Sequence, residues 1–271
     1  MLKFKFGENW LRFNKLINHK KILQARNSLK KYNISYKNKS FLDVGCGSGL
    51  FSLAVTTLGC KKIYSVDVDD NSIKSTKILR ENFKRKNLNW NIEKVSLIRD
   101  NFKKKCKNYD IIYCWGVAHH TGNMFKAFKN LVNVCKINSH LVIAIYNDEG
   151  LKSKIWWIIK YIYNFVPSSL KKIYAYFIML VVRKGYVIFR LFFTLQFSEL
   201  SKFLNKKTKR TRGMNADVDI MDWVGGYPFE YIKFNLLKKY FTSKGFKIIK
   251  SHECKGPGNH EIVLKRIKLI N

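Results

Sequence analysis

A chain of 271 residues with 46% hydrophobic content can bury one substantial core and a smaller attached unit, which excludes a chain too polar to fold and a small disulfide-stapled scaffold. The formal net charge of +34 invites nucleic acid, yet only 10 of the 52 basic residues are arginine and the lysines are scattered along the chain, so nucleic acid is not the expected partner. Cys46, Cys60, Cys106, Cys114, Cys135 and Cys254 show neither metal-ligand spacing nor a disulfide rhythm, and Met1 to Lys5 lead straight into polar helix-like sequence; a reduced, cytosolic chain with no metal and no cleavable signal is expected.

The first element is a leading helix from Trp10 to about Tyr32, with Trp10, Phe13, Leu16, Ile17 and Leu23 able to share a face. Ser40 to Val44 follows as a buried strand. It delivers Asp43, Gly45, Gly47 and Gly49 to the mouth of a helix marked by Leu50, Leu53, Ala54 and Leu58 and closed by Gly59. Glycine permits tight turning and close backbone approach, so this is a nucleoside-binding loop. A dinucleotide site reads G-x-G-x-x-G and aims its helix N-terminus at a pyrophosphate, which a carboxylate two residues before the first glycine would repel. Here the third glycine comes one residue early and Asp43 stands in that position. S-adenosylmethionine, with an ammonium, a sulfonium and no phosphate, suits an acidic loop of this kind.

Lys62 to Val66 reads as the next strand and ends at Asp67, placed to offer a carboxylate to both ribose hydroxyls. Asp69 or Asp70 then caps a helix through about Asn82. Strands at Trp90 to Val95, Tyr109 to Cys114 and His140 to Tyr146 continue the alternation, which predicts an α/β, doubly wound parallel sheet. An insertion from Gly150 to about Leu204 carries an aromatic helix, Leu151 to Val166, stopped by Pro167. A second apolar stretch, Leu170 to Phe197, is interrupted by Arg183, Lys184 and Arg190 and fails the test for a spanning helix. Three readings of residues 151–200 stay open here: a lid, a contact between copies in a homo-oligomer, and a peripheral membrane surface at the inner face of a membrane. Tyr231 to Lys244 reads as a helix ended by Gly245, and Phe246 to Cys254 with Glu261 to Ile270 forms a hairpin through Gly256-Pro257-Gly258-Asn259.

The glycine loop with Asp67 at this spacing resembles the class I S-adenosylmethionine-dependent methyltransferases, over nearly the whole chain. A closer resemblance is to bacterial methyltransferases labelled by similarity to ubiquinone-biosynthesis methylases. It is carried by Phe6-Gly7-Glu8-Asn9-Trp10, by His119-His120-Thr121-Gly122-Asn123, and by Arg212-Gly213-Met214 followed by Asp222-Trp223-Val224-Gly225-Gly226-Tyr227-Pro228-Phe229-Glu230. The resemblance implies a Rossmann-like seven-stranded sheet with an N-terminal helix and a helical lid after the fifth strand. It divides the chain into a cap helix (1–35), a cofactor-binding core (36–149), a lid and substrate loop (150–230) and a C-terminal helix and hairpin completing the core (231–271). Asp43, Gly45, Cys46, Gly47 and Gly49 would surround the methionine part, Asp67 and Val68 the ribose, Ser96 and Leu97 the adenine, and Trp115 the face of the cofactor. The family often places an acidic residue in the adenine turn, and Arg99 stands at that position here.

Methyl transfer is an in-line displacement at an already activated carbon, so the protein mainly positions the acceptor. A base is needed only for a hydroxyl or protonated amine, and His119 and His120, beyond the fourth strand, are the candidates. Each has the alternative of capping the next helix or packing beside the cofactor. Tyr146 and Asn147 leave the fifth strand at its carboxyl end and, with Arg212, Asp222 and Tyr227 from the later blocks, are candidate substrate contacts. The expected acceptor is a small molecule: a sugar, a nucleotide-linked intermediate or a quinone-like lipid. An RNA methyltransferase and a non-catalytic S-adenosylmethionine-binding regulator are the alternatives.

Overall fold

The computed structural model describes residue 4 and residues 6–83, 89–194 and 216–270. Two helices open it, α1 (Phe6–Asn14) and α2 (His19–Lys30), in place of the single helix expected from Trp10 to Tyr32. Two asparagines account for the break. The Asn18 side chain accepts the Lys21 amide at 3.1 Å and so starts α2, while Asn14 turns its own amide to the Ser75 carbonyl at 2.5 Å and the Ser75 hydroxyl at 2.9 Å. Helix α1 is thereby fixed to the helix that carries Ser75.

Strand and helix then alternate as β1 (Ser40–Val44), α3 (Leu50–Thr56), β2 (Lys62–Asp67), α4 (Asp70–Asn82), β3 (Asn89–Lys94), α5 (Phe102–Cys106), β4 (Tyr109–Trp115), α6 (Met124–Val134) and β5 (Cys135–Tyr146). The remainder is α7 (Leu151–Tyr163), α8 (Lys171–Thr194), α9 (Ala216–Gly225), α10 (Phe234–Ser243), β6 (Phe246–His252) and β7 (Asn259–Arg266). The seven strands form one sheet in the order β3-β2-β1-β4-β5-β7-β6, with β1 to β5 parallel and β7 antiparallel to both of its neighbours. The chain reverses its direction of travel across the sheet between β1 and β4. In open sheets of this kind the crevice for ligands lies there, beyond the carboxyl ends of the strands.

Alternation along the strands divides the apolar residues between two cores. Leu42, Val66, Ile112 and Ile143 face one, under α5, α6 and α10; Phe41, Ile63, Ile111 and Val142 face the other, under α1, α2 and α3. A third cluster, with Tyr146, Trp156, Tyr163, Val224 and Phe229, joins α7, α8 and α9 to the end of β5. Among the described residues no helix is long and apolar enough to cross a membrane.

Element ends move where tertiary partners outweigh local pattern. Strand β5 starts at Cys135 rather than His140, because Tyr109 pairs with Cys135 before a register shift. Helix α10 begins at Phe234 rather than Tyr231: Ile232 bridges to Asn147 and donates its amide to the Tyr146 carbonyl at 3.1 Å, which holds the chain extended. Helix α7 stops at Tyr163 instead of Val166, followed by a turn in which the Val166 amide reaches the Tyr163 carbonyl.

Replacing Asn14 with Ala leaves Ser75 without its buried donor and is expected to cost about 1–3 kcal/mol in urea unfolding. Leu16→Ala, at a position 45% exposed, is the control and should stay within about 0.5 kcal/mol.

Candidate functional site

The loop after β1 is shaped by glycines at positive φ, Gly45 (+72°), Gly47 (+54°) and Gly49 (+78°). All three also have no room for a side chain, a Cβ on Gly49 lying 2.8 Å from the Thr76 side chain. A Cβ on Gly45 would lie 2.4 Å from the Val117 side chain, and one on Gly47 would lie 2.9 Å from the Trp10 ring. The loop spends its amides internally. Gly45 and Cys46 donate to the Val66 carbonyl at 2.7 and 3.1 Å, Gly47 donates to Asp67 Oδ2 at 3.0 Å, and Gly49 donates to the Cys46 carbonyl at 2.8 Å. Cys46 turns its thiol to the Thr76 hydroxyl at 3.3 Å, so only its backbone belongs to the loop.

Asp43 and Asp67 come to the carboxyl ends of neighbouring strands by register, since Asp43 pairs with Ser65 two residues before Asp67. The Asp43 side chain is held from within the core. Trp90 donates its indole N–H to the Ser65 hydroxyl at 2.7 Å, Ser65 and Ser52 share a bond of 2.6 Å, and Ser52 donates to Asp43 Oδ2 at 2.5 Å. Burial pushes the Asp43 carboxyl up to about 7, against the Ser52 hydrogen bond and with help from the Asp67 charge. Asp67 accepts from the Asp69 and Gly47 amides, one on each oxygen, and burial still raises it to about 6. Asp69, not Asp70, caps α4 by accepting the Ser72 amide at 2.9 Å.

The remaining residues expected around the cofactor lie along the same sheet edge with unequal access. Val68 is 52% exposed at the rim, Ser96 is half-buried in the turn after β3, and Trp115 is half-buried against the second core at the end of β4. The Leu97 side chain is in the first core, and its carbonyl is taken by Asn130 at 2.7 Å, so it offers a ligand its backbone amide at most.

Beyond β4, a short 3-10 turn (Ala118–His120) places both histidines against the end of β5. The His119 ring lies 3.9 Å from the Tyr146 ring and 4.4 Å from that of His120. His119 Nδ1 accepts the Tyr146 amide at 3.3 Å, so its proton sits on Nε2; His120 donates from Nδ1 to the Pro228 carbonyl at 2.7 Å, which leaves the lone pair on Nε2. Burial, then neighbouring positive charge, holds His119 well below its usual range and lowers His120 to about 3. Both rings are neutral at pH 7, and neither titrates near neutrality.

Lys160 is the functional-looking residue that the sequence reading passes over. It is fully buried on the inner face of α7, donates to the Trp223 carbonyl, and has its ammonium over four rings, at 4.8 Å from Phe229, 5.0 Å from Trp223, 5.5 Å from Tyr146 and 5.7 Å from Trp156. Desolvation lowers its pKa and raises that of Asp222, and each charge partly offsets the burial of the other. Asp222 also accepts from Asn9 of α1 at 2.7 Å. The signal was available: Ser153, Trp156, Lys160 and Tyr163 are the buried residues of α7 and recur at helical spacing.

Tyr146 and Asp222 therefore join the histidines in one buried cluster around Lys160. Asn147 does not, being tied to Gly256 and Gly258 carbonyls in the loop before β7. Tyr227 packs its ring on the outer side of α7, 5.8 Å from Trp157 and 5.6 Å from Tyr161. Arg212 lies outside the described residues. Helix α1 adjoins both halves: Trp10 sits at Gly47, Phe6 is 4.8 Å from the His120 ring, and Asn9 holds Asp222.

A family model described as ribosomal protein L11 methyltransferase matches residues 23–138. Among curated proteins, the ribosomal protein L11 methyltransferase of Legionella pneumophila (strain Lens) is 52% identical over 40 residues, 15% of this chain and 14% of that protein. The ubiquinone biosynthesis O-methyltransferase of Rickettsia akari (strain Hartford) is 28% identical over 141 residues, 51% of this chain and 53% of its own. The chain thus spans one seventh to about half the length of these curated relatives. The magnesium protoporphyrin IX methyltransferase of Synechocystis PCC 6803, solved with bound SAH, superposes with a TM-score of 0.51 at 13% identity, covering 92% of this chain and 88% of that one. By sheet order, loop and these likenesses, the fold is that of the class I S-adenosylmethionine-dependent methyltransferases.

The Lys160 cluster makes its own prediction. Lys160→Met and Asp222→Asn are each expected to destabilise, but the double variant should cost less than the sum by at least about 0.5 kcal/mol in a double-mutant cycle of urea unfolding.

Proposed function

We propose that the chain is an S-adenosylmethionine-dependent methyltransferase that methylates an oxygen or nitrogen of a small acceptor: a sugar, a nucleotide-linked intermediate or a quinone-like lipid. The observation that carries this reading is the spent loop. Gly45, Cys46, Gly47 and Gly49 already donate their amides inside the protein, so the loop has little left to offer a pyrophosphate, while two carboxylates beside it, Asp43 buried and Asp67 half-buried, favour a cation. A phosphate-free nucleoside bearing positive charge is the ligand that matches.

In this reading Asp67 accepts the ribose hydroxyls through the lone pairs its two amide bonds leave free. Gly45 to Gly49 curve around the methionine part, with Asp43 behind them as negative charge. Ser96 and Val68 border the nucleoside, and Trp115 covers its face. The bound cofactor supplies a methyl carbon already activated by its sulfonium. The chain's own residues would position the acceptor lone pair toward that methyl group, and the acceptor's proton would pass to solvent, since neither histidine titrates near neutrality. His120, neutral with its lone pair on Nε2, orients an acceptor hydroxyl or amine by taking its hydrogen bond. A role as a base that titrates near neutrality does not fit its buried ring.

The family-model match ends at residue 138, before Tyr146 and the lid, so it bears on the cofactor half of the site rather than on the acceptor.

Asp67→Ala should weaken S-adenosylhomocysteine at least ten-fold by calorimetry with the fold retained, and unchanged affinity, or a preference for a pyrophosphate dinucleotide, would remove the reading. The affinity is also expected to depend on pH. Below about 6 the Asp67 carboxyl is protonated in the free protein, and a ligand carrying an ammonium and hydroxyl donors favours the ionised form, so binding releases protons and tightens as pH rises from 5.5 to 7.5. Titration in two buffers of different ionisation enthalpy would detect those protons. The same shift runs the other way for the free protein: a carboxyl raised above its unfolded value contributes stability below that value and loses it as pH rises through about 6. Thermal stabilisation by the ligand should therefore be larger at pH 7.5 than at pH 5.5.

A further inference from the structure

Helix α7 is amphipathic the wrong way round for a helix in water. Its inner face is the Ser153, Trp156, Lys160 and Tyr163 row, yet Leu151, Ile155, Ile158 and Ile162 also recur at helical spacing on its far side and are exposed by 45 to 72%, and Phe165 in the turn that follows is 62% exposed. The following helix repeats the pattern, with Ile173 66% and Phe177 60% exposed. Rows of exposed apolar side chains on two successive helices are uncommon on a protein that meets only water.

The charge around it selects what covers it. Between Glu149 and Glu199 the sequence has no acidic residue and eight lysines and arginines, seven of them besides the buried Lys160. Lys152 and Lys154 are exposed beside the apolar row of α7, and Lys172 is exposed at the start of α8. Trp157 and Tyr161 stack at 5.2 Å on the flank of the row, each more than a third exposed, in the position that amphipathic rings take at a boundary between hydrocarbon and water. Apolar side chains with basic and aromatic flanks and no acid complement an anionic lipid surface, and neither helix is built to span one.

We propose that the outer face of the α7–α8 hairpin docks the protein on the surface of an anionic lipid bilayer, with Ile158, Ile162 and Phe165 entering the headgroup and acyl boundary. The inference does not rest on the methyltransferase reading, because its test needs no cofactor. Basic residues supply attraction at a distance, and apolar insertion supplies retention.

The test is flotation of the full chain with vesicles of phosphatidylcholine alone or with phosphatidylglycerol. Binding to the anionic vesicles should exceed binding to the neutral ones at least ten-fold and weaken on raising the salt from 50 to 500 mM. The double variant Ile158→Ser with Ile162→Ser keeps the net charge and should lose binding at least ten-fold, while Leu236→Ser, at a position 56% exposed on α10, should change nothing. Circular dichroism confirms that each variant is folded. The proposal is overturned if the chain does not float, if the double variant floats as well as the parent, or if sedimentation shows a dimer that the double variant dissolves while vesicle binding is absent.

Discussion

The arrangement rests on two carboxylates, Asp43 buried and Asp67 half-buried, at the ends of adjacent strands in a strongly basic protein. Fifty-two lysines and arginines are present, yet no ion pair to either Asp43 or Asp67 is found among the described residues, and what holds them is hydrogen bonding from hydroxyls and backbone amides. Burying a carboxylate without a cation raises its pKa, and both are raised. The hydroxyl relay from Trp90 through Ser65 and Ser52 crosses three elements to fix Asp43, which ties the stiffness of the site to the middle of the sheet.

The loop after β1 and the strand ends carrying Asp43 and Asp67 were legible in the sequence because their signals are local. Period-two strands, glycines two apart and an aspartate at the end of the next strand need no distant partner to be read, and β1, β2 and the loop lie where they were expected. The strand and helix ends that moved did so for partners far along the chain: Cys135 found Tyr109, and Ile232 found Asn147. Helix α1 separated from α2 because asparagine side chains reached for backbone and hydroxyl groups, a competition that apolar periodicity does not record.

The cluster beyond β4 and β5 was less legible, and His119 and His120 illustrate why. Their identity and position after β4 can be read directly, but their protonation is set by Tyr146 and by Pro228, more than a hundred residues downstream of His120. Lys160 was concealed by habit of another kind. A lysine among aromatic residues reads as a solvated charge, whereas its place in the row with Trp156 and Tyr163 put it in the core. Tyr227 and Asn147 share the chain neighbourhood of the cluster without its surroundings, since one packs on the outer side of α7 and the other holds a hairpin.

Helix α1 is a common wall between two compartments. Its Trp10 closes against the glycine loop, its Phe6 meets His120, and its Asn9 holds the aspartate beside Lys160. A rigid element with footings in both rooms cannot shift for one without disturbing the other. A displacement of this one helix would therefore alter the packing at Gly47, at the His120 ring and at the Lys160–Asp222 cluster together.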